Sequence, residues 1–78
     1  MNSDALNAVI NAVSIVMELP ADILDSSTAF RAINADSVAL IVIADVIEDR
    51  FPQYVVSDDV LKSSATIGDL AAGLKVSA

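Results

Sequence analysis

Carboxylates, hydroxyls, lysines and a single tyrosine are the groups in this 78-residue chain that could do chemistry, since it has no cysteine and no histidine. The absence of cysteine excludes thiolate catalysis, disulfides and sulfur-ligated metals. The absence of histidine removes the usual near-neutral general base and the commonest metal ligand. We therefore expect a protein with no catalytic residues and no metal site.

Two groups of acidic residues are candidates for carboxylate chemistry. One consists of Asp45, Glu48 and Asp49, and the other is the pair Asp58-Asp59. An enzyme with paired carboxylates needs a pocket around its substrate, whereas the first group follows a helical spacing and should lie on a convex surface. Neither group has the alternating oxygen ligands and the glycine of a calcium-binding loop. The pattern favours neither a hydrolase nor a calcium site.

One hydroxyl has a distinctive position. Ser37 follows Asp36 and stands directly before the longest uninterrupted apolar run, Val38 to Ala44. Aspartate and serine are common helix starters, and such a pair by itself usually marks an N-cap. The pair predicts the first turn of a helix, and the neighbouring elements decide whether Ser37 does more than start it.

The segment before this pair is predicted to hold one helix and a long loop. The helix should have its N-cap at Ser3 or Asp4 and should end before Pro20, which cannot easily continue a helix. Its inner face follows the i, i+3, i+4, i+7 spacing and consists of Leu6, Val9, Ile10, Val13, Val16 and Met17. The loop from Pro20 to Ala35 should be held to the core by four apolar anchors, Ile23, Leu24, Phe30 and Ile33.

The second helix should run from Asp36-Ser37 to about Arg50 or Phe51, before Pro52. A turn of 100° per residue places these residues on its core side: Leu40, Ile43, Ala44, Ile47 and Phe51. A second face is apolar at first and acidic later, and consists of Val38, Ile41, Val42, Asp45, Glu48 and Asp49. A helix that is apolar nearly all round is buried or meets a partner, and a domain this small cannot cover one helix on every side. We predict that the second face binds partner proteins; alternatively, Ala39 and Val46 enlarge the core and the acids form a solvated end.

The rest of the chain should add a short helix and a last helix. Asp58 and Asp59 should cap the short helix, which continues through Val60, Leu61 and Lys62. The last helix should start near Thr66, weaken at Gly73, and bury Ile67, Leu70, Ala71 and Leu74. The predicted fold class is all-α: a small bundle of three main helices plus one short helix, with a long first loop, in a single domain over residues 1–78.

The charge and the hydropathy of the chain limit the classes of partner that it is expected to bind. Four basic and eleven acidic residues give a net charge of −7, and 55% of the residues are hydrophobic. Such a chain repels phosphate backbones and anionic lipid headgroups, so we expect no nucleic-acid and no membrane partner, and basic protein surfaces become the natural partners. The longest apolar run is too short for a membrane helix, and no secretory signal is visible. We expect a cytoplasmic protein, most simply a monomer.

The segment Asn34-Ala35-Asp36-Ser37-Val38 resembles the Gly-x-Asp-Ser-Leu signature of acyl and peptidyl carrier proteins. The resemblance spans nearly the whole chain, because the helix order, the position of Phe51 and the segment from Ala65 to Leu70 also look like that family. It implies that Ser37 carries 4′-phosphopantetheine, attached covalently from coenzyme A through a phosphodiester. The thiol of this group would hold an acyl, polyketide or peptidyl intermediate as a thioester.

The same resemblance implies roles for neighbouring residues and for partner proteins. Asp36 would support modification by a phosphopantetheinyl transferase. Acyl-loading and condensing enzymes, such as an acyltransferase, a ketosynthase or a condensation domain, would bind the second helix. Free N–H groups at a helix start also tolerate a phosphodiester, which agrees with a modified Ser37.

Some residues depart from the family's pattern. Asn34 replaces the usual glycine, and asparagine tolerates left-handed backbone angles. Val38 replaces the usual leucine with a shorter, stiffer side chain. Ala39 and Val42 stand where fatty-acid carriers typically have acids, so docking should depend more on apolar contact and less on salt-sensitive attraction. These departures favour a carrier of a polyketide, hybrid peptide or other specialised pathway over the housekeeping fatty-acid carrier.

An alternative function keeps the fold without the prosthetic group. The protein would then be an unmodified acidic helical adaptor that binds partner proteins through Val38, Ile41 and Val42 of the second helix. Replacing Ser37 by alanine separates the two hypotheses, because only the carrier requires its hydroxyl.

Overall fold

The computed structural model describes residues 3–76. Within these residues, four α-helices follow one another: α1 Ser3–Met17, α2 Ser37–Arg50, α3 Asp58–Ser63 and α4 Ile67–Gly73. Two 3-10 turns lie in the first loop, at Ala21–Ile23 and Phe30–Ile33. The all-α bundle with a long first loop, predicted from the sequence, is confirmed, and α1 and α2 are its long elements.

The core lies between α1 and its two main neighbours, α2 and α4. The largest side chains that are fully buried come from these three helices: Val9, Val13, Ile43, Ile47, Ile67 and Leu70. The predicted inner positions Leu6, Ile10, Leu40 and Leu74 are only partly buried and pack around that cluster. Because these side chains interlock, the orientation of α2 is set by the core face that the sequence predicts.

Backbone hydrogen bonds attach the first loop to the connection between α3 and α4 and to the first turn of α4. The Phe30 N–H donates to the Ala65 carbonyl at 3.0 Å, and the Gly68 N–H donates to the Ser26 carbonyl at 2.8 Å. A Cβ atom at Gly68 would lie 2.7 Å from that carbonyl oxygen, so this close approach requires glycine. Among the predicted anchors, Leu24 and Phe30 are buried, whereas Ile23 is 60% exposed. The expectation that Ile23 anchors the loop is therefore wrong.

The middle of the first loop is ordered by Asp25. Its Oδ1 accepts hydrogen bonds from the Ser27 hydroxyl at 2.7 Å and the Ser27 N–H at 2.9 Å. These two bonds favour the ionised carboxylate and hold the pKa of Asp25 below its usual value. The loop thus continues to the Phe30 anchor from a local turn that its own polar side chains stabilise.

The helix caps differ in part from those that the sequence predicts. Ser3 and Asp4 already lie within α1, so the N-cap expected at one of them is wrong, and the residues before Ser3 lie outside the described range. The N-cap of α3 is Ser57, whose hydroxyl accepts from the Val60 N–H at 3.3 Å, rather than Asp58 or Asp59. These two acids occupy the first turn instead, where the helix dipole favours negative charge.

A short antiparallel ribbon was not expected from the sequence. Strand β1, Tyr54–Val55, pairs with β2, Lys75–Val76, so that Tyr54 lies opposite Val76. The ribbon joins the segment after α2 to the segment after α4. It lies near the carboxyl end of α2, about 20 Å from the start of that helix at a rise of 1.5 Å per residue.

Within residues 3–76, no helix combines the length and the apolar character that crossing a membrane requires.

Candidate functional site

The start of α2 is fixed by a tight turn and a side-chain cap. Asn34 ends the second 3-10 turn with φ 59° and ψ 31°, in the left-handed region, as the sequence predicts. The Ala35 N–H donates to the Phe30 carbonyl at 2.9 Å across this turn. Asp36 then caps α2, because its Oδ1 accepts from the Ala39 N–H at 2.9 Å. Asn34 is therefore the residue at which the chain turns into the helix.

Ser37 is the first residue of α2, and its side chain is exposed. Since the Asp36 carboxylate performs the capping, the hydroxyl of Ser37 is not needed for it. The side-chain hydrogen bonds within residues 3–76 do not include this hydroxyl. The N–H groups of Ser37 and Val38 also have no partner inside the helix, as in any first turn. An accessible nucleophilic oxygen thus lies beside free backbone donors.

A groove lies next to Ser37, between the first half of α2 and α3. It has a volume of about 310 Å³, and its lining consists of Ser37, Leu40, Ile41, Asp58, Leu61 and Lys62. Three of these side chains are aliphatic, and three are polar or charged. A group attached at Ser37 would therefore have an aliphatic surface and both signs of charge within reach.

The predicted partner face of α2 is exposed along its length. The exposed fractions of Val38, Ile41 and Val42 are 66%, 55% and 43%. Asp45, Glu48 and Asp49 are exposed further along the same helix. Three exposed aliphatic side chains in one half of a helix form a contiguous apolar area, which is a feature of interaction sites. Ala39 and Val46 are partly buried against the core, so they do extend it, but they do not cover this face.

Glu48, one of the three acids on this face, accepts a hydrogen bond that the sequence does not predict. The Val56 N–H donates to Glu48 Oε2 at 2.9 Å, between residues eight apart in sequence. This bond ties the segment after α2, which leads into α3, to the last turn of α2. Phe51, predicted on the core side, is half-buried and ends the helix.

A second groove, at the opposite end of α2, contains none of the predicted site residues. It has a volume of about 420 Å³ and is lined by Asp4, Asn7, Ala8, Asn11, Phe51 and Gln53. Within the described residues, no cluster of three or more carboxylates could hold a metal ion. The start of α2 is therefore the best-formed candidate site.

Comparison with known families identifies the family to which the chain belongs. A family model described as a phosphopantetheine attachment site matches residues 7–74. Comparison with curated proteins and with solved structures returned no match. The matched range includes α2, its groove and the loop before it. The chain therefore belongs to the phosphopantetheine attachment-site family, the carrier proteins whose prosthetic group is covalently bound 4′-phosphopantetheine.

Proposed function

We propose that this protein carries an acyl, polyketide or peptidyl intermediate as a thioester on a 4′-phosphopantetheine arm attached to Ser37. The observation that carries the proposal is that Asp36, and not Ser37, caps α2. Asp36 provides the cap, and the exposed hydroxyl of Ser37 is left without a hydrogen bond among the described residues. Because Asp36 is the N-cap, the Ser37 hydroxyl is not committed to the helix start and is accessible to a modifying enzyme.

The residues around Ser37 fit such a group. Free N–H groups at the start of the 14-residue helix α2 stabilise negative charge on a phosphodiester. The groove between α2 and α3 gives the first atoms of the arm a surface to lie on. When bound, the arm supplies a terminal thiol that forms the thioester.

Asp36 fits a supporting role in the modification. Only its Oδ1 is used in the cap, so Oδ2 remains available to a transferase and the metal that accompanies its cofactor. The carboxylate is exposed and directly precedes Ser37. Losing it would also remove the cap, so its two roles need separate measurements of stability and of modification.

The exposed face of α2 is the proposed docking surface for the partner enzymes. These are a phosphopantetheinyl transferase and the enzymes that load or condense the cargo, such as an acyltransferase, a ketosynthase or a condensation domain. Val38, Ile41 and Val42 would provide apolar contact next to the arm, and Asp45, Glu48 and Asp49 would provide the acidic end. The high aliphatic exposure beside Ser37 supports a carrier of a specialised pathway.

Several further expectations belong to the same proposal. The protein acts as a monomer and as one domain over residues 1–78, and it catalyses no reaction itself. Its cytoplasmic location and the absence of nucleic-acid and membrane partners stay predictions from its charge and sequence.

The exposed apolar area also suits an unmodified adaptor, which would bind partners through Val38, Ile41 and Val42 alone. An adaptor would bind its partners equally well with or without the Ser37 hydroxyl. A carrier would lose its function if that single oxygen atom were removed.

Intact mass spectrometry tests the proposed function. The protein is incubated with coenzyme A and a transferase of broad specificity, which joins the Ser37 oxygen to phosphopantetheine and releases the nucleotide half of coenzyme A. We expect a gain of one phosphopantetheine in the wild type and none in Ser37→Ala. Ser63→Ala, which removes an exposed hydroxyl on α3, is the control and should still be modified. No gain with several transferases, or a gain that survives Ser37→Ala, would contradict the proposal.

A further inference from the structure

Lys62 lies in the groove beside Ser37. The chain has four basic residues, which are Arg31, Arg50, Lys62 and Lys75, and among them Lys62 lines this groove. Its side chain is exposed, and it belongs to the last turn of α3. The site that would receive an anionic arm thus includes a cation in a chain whose net charge is −7.

The backbone that carries Lys62 is well fixed. Ser57 caps α3, and the Ser64 hydroxyl donates to the Val60 carbonyl at the other end of the helix. Val60 also packs closely against Gly73 of α4, where a Cβ atom would lie 2.5 Å from Val60 Cγ1. Lys62, which lines the groove, is therefore carried by a helix with a set position, and its flexible four-carbon stem gives the ammonium group reach toward an anion bound there.

The positive charge of Lys62 can offset negative charges that would lie around a modified Ser37. A phosphodiester at Ser37 adds a negative charge close to Asp36, and Asp58 lines the same groove. Like charges in one groove disfavour each other. The free N–H groups of α2 offset this repulsion on one side of the phosphodiester, and the ammonium group of Lys62 can offset it on the groove side. Asp58, in the first turn of α3, is itself stabilised by that helix's dipole.

We propose that Lys62 binds the phosphodiester of the arm on Ser37 and thereby directs the arm into the groove between α2 and α3. The proposal rests on the function proposed above. It is specific to this chain's own residues, since it assigns the groove cation to the anionic oxygens at the attachment point. The carboxylate of a dicarboxylic cargo has the same chemistry, but it would lie at the far end of the arm, whereas the phosphodiester is attached to the groove-lining Ser37 itself.

Nuclear magnetic resonance of the two lysine side chains tests this proposal. Signals of the Lys62 and Lys75 Cε groups are compared before and after modification of Ser37, and Lys62→Gln identifies which signal is which. We expect the Lys62 signal to move on modification and the Lys75 signal, on the exposed strand β2, to stay. The movement should shrink in 1 M salt, where the screening length falls to about 3 Å. The ³¹P signal of the modified protein should change in Lys62→Gln and not in Lys75→Gln.

The outcomes separate the two proposals. Absence of the mass gain at Ser37 overturns the proposed function, and this inference with it. A mass gain without a response of Lys62 overturns this inference alone. A response of Lys62 that needs a malonyl group on the arm, and is missing in the unloaded form, assigns the lysine to a cargo carboxylate and also overturns it.

Discussion

Two isoleucines of α2, two positions apart, have opposite environments. Ile43 is fully buried against α1, whereas Ile41 is 55% exposed. Full burial of such a side chain stabilises a fold by roughly 1.5–3 kcal/mol, and Ile41 forgoes much of that gain. The difference teaches that the aliphatic residues of α2 serve two purposes, which composition cannot distinguish: one face holds the bundle together, and the other remains available for contact.

The largest expected effect is the loss of the buried side chain. Ile43→Ala should destabilise the protein by about 2–5 kcal/mol, because it removes three carbons and leaves a cavity. The free energy of unfolding from urea denaturation measures this change. A loss below about 1 kcal/mol would mean that the two faces of α2 differ less in packing than their exposures indicate.

A smaller loss of stability is expected at Glu48, an exposed residue whose side chain accepts a hydrogen bond. Glu48→Ala should cost about 0.5–1.5 kcal/mol, since it removes the acceptor of the Val56 N–H. Asp49→Ala is the matched control, because Asp49 is also an exposed acid in the last turn of α2, and it should change stability by less than about 0.5 kcal/mol. Equal losses of stability in the two variants would show that the hydrogen bond to Val56 contributes nothing beyond the effect of removing a negative charge at this end of α2.

The smallest effect on stability should come from the exposed face. Ile41→Ala should change the free energy of unfolding by no more than about 0.5 kcal/mol. The same variant should lower kcat/KM for modification of Ser37 by roughly five- to tenfold, as expected for an interface residue worth about 1 kcal/mol or more.

Ile15→Ala is the control for this variant, because Ile15 is 46% exposed on a different helix, α1. It should leave the rate of modification unchanged. If both variants slow modification equally, the exposed face of α2 has no special part in docking, and the contrast between the two isoleucines concerns folding only.

The sequence was informative where the physical signal was local. The cap of α2, the left-handed turn at Asn34 and the buried face of α2 depend on residues within a few positions of one another, and all three are as predicted. The Glu48 bond and the ribbon between Tyr54 and Val76 depend on segments that only the folded bundle brings together. The groove beside Ser37 was missed for the same reason, because its far wall is α3 and no periodicity in α2 points to it.

The caps of the short helices illustrate a second limit. Asp58, Asp59 and Ser57 are all favourable near a helix start, so residue type alone cannot decide which one is the cap. Ile23 shows a similar ambiguity, since an isoleucine in a loop can anchor that loop or lie in solvent. Here the backbone turn at Ala21–Ile23 leaves it exposed, whereas Leu24, the next residue, enters the core.

The ribbon formed by β1 and β2 is a suitable place at which to attach the protein to a surface. Val76 is 73% exposed, and the chain has no cysteine, so Val76→Cys would create a unique thiol at the pole away from Ser37. Coupling through that thiol, before any arm is attached, would immobilise every molecule in one orientation with the start of α2 facing the solution. Binding of partner enzymes could then be followed on a sensor surface without the support obstructing the proposed docking face.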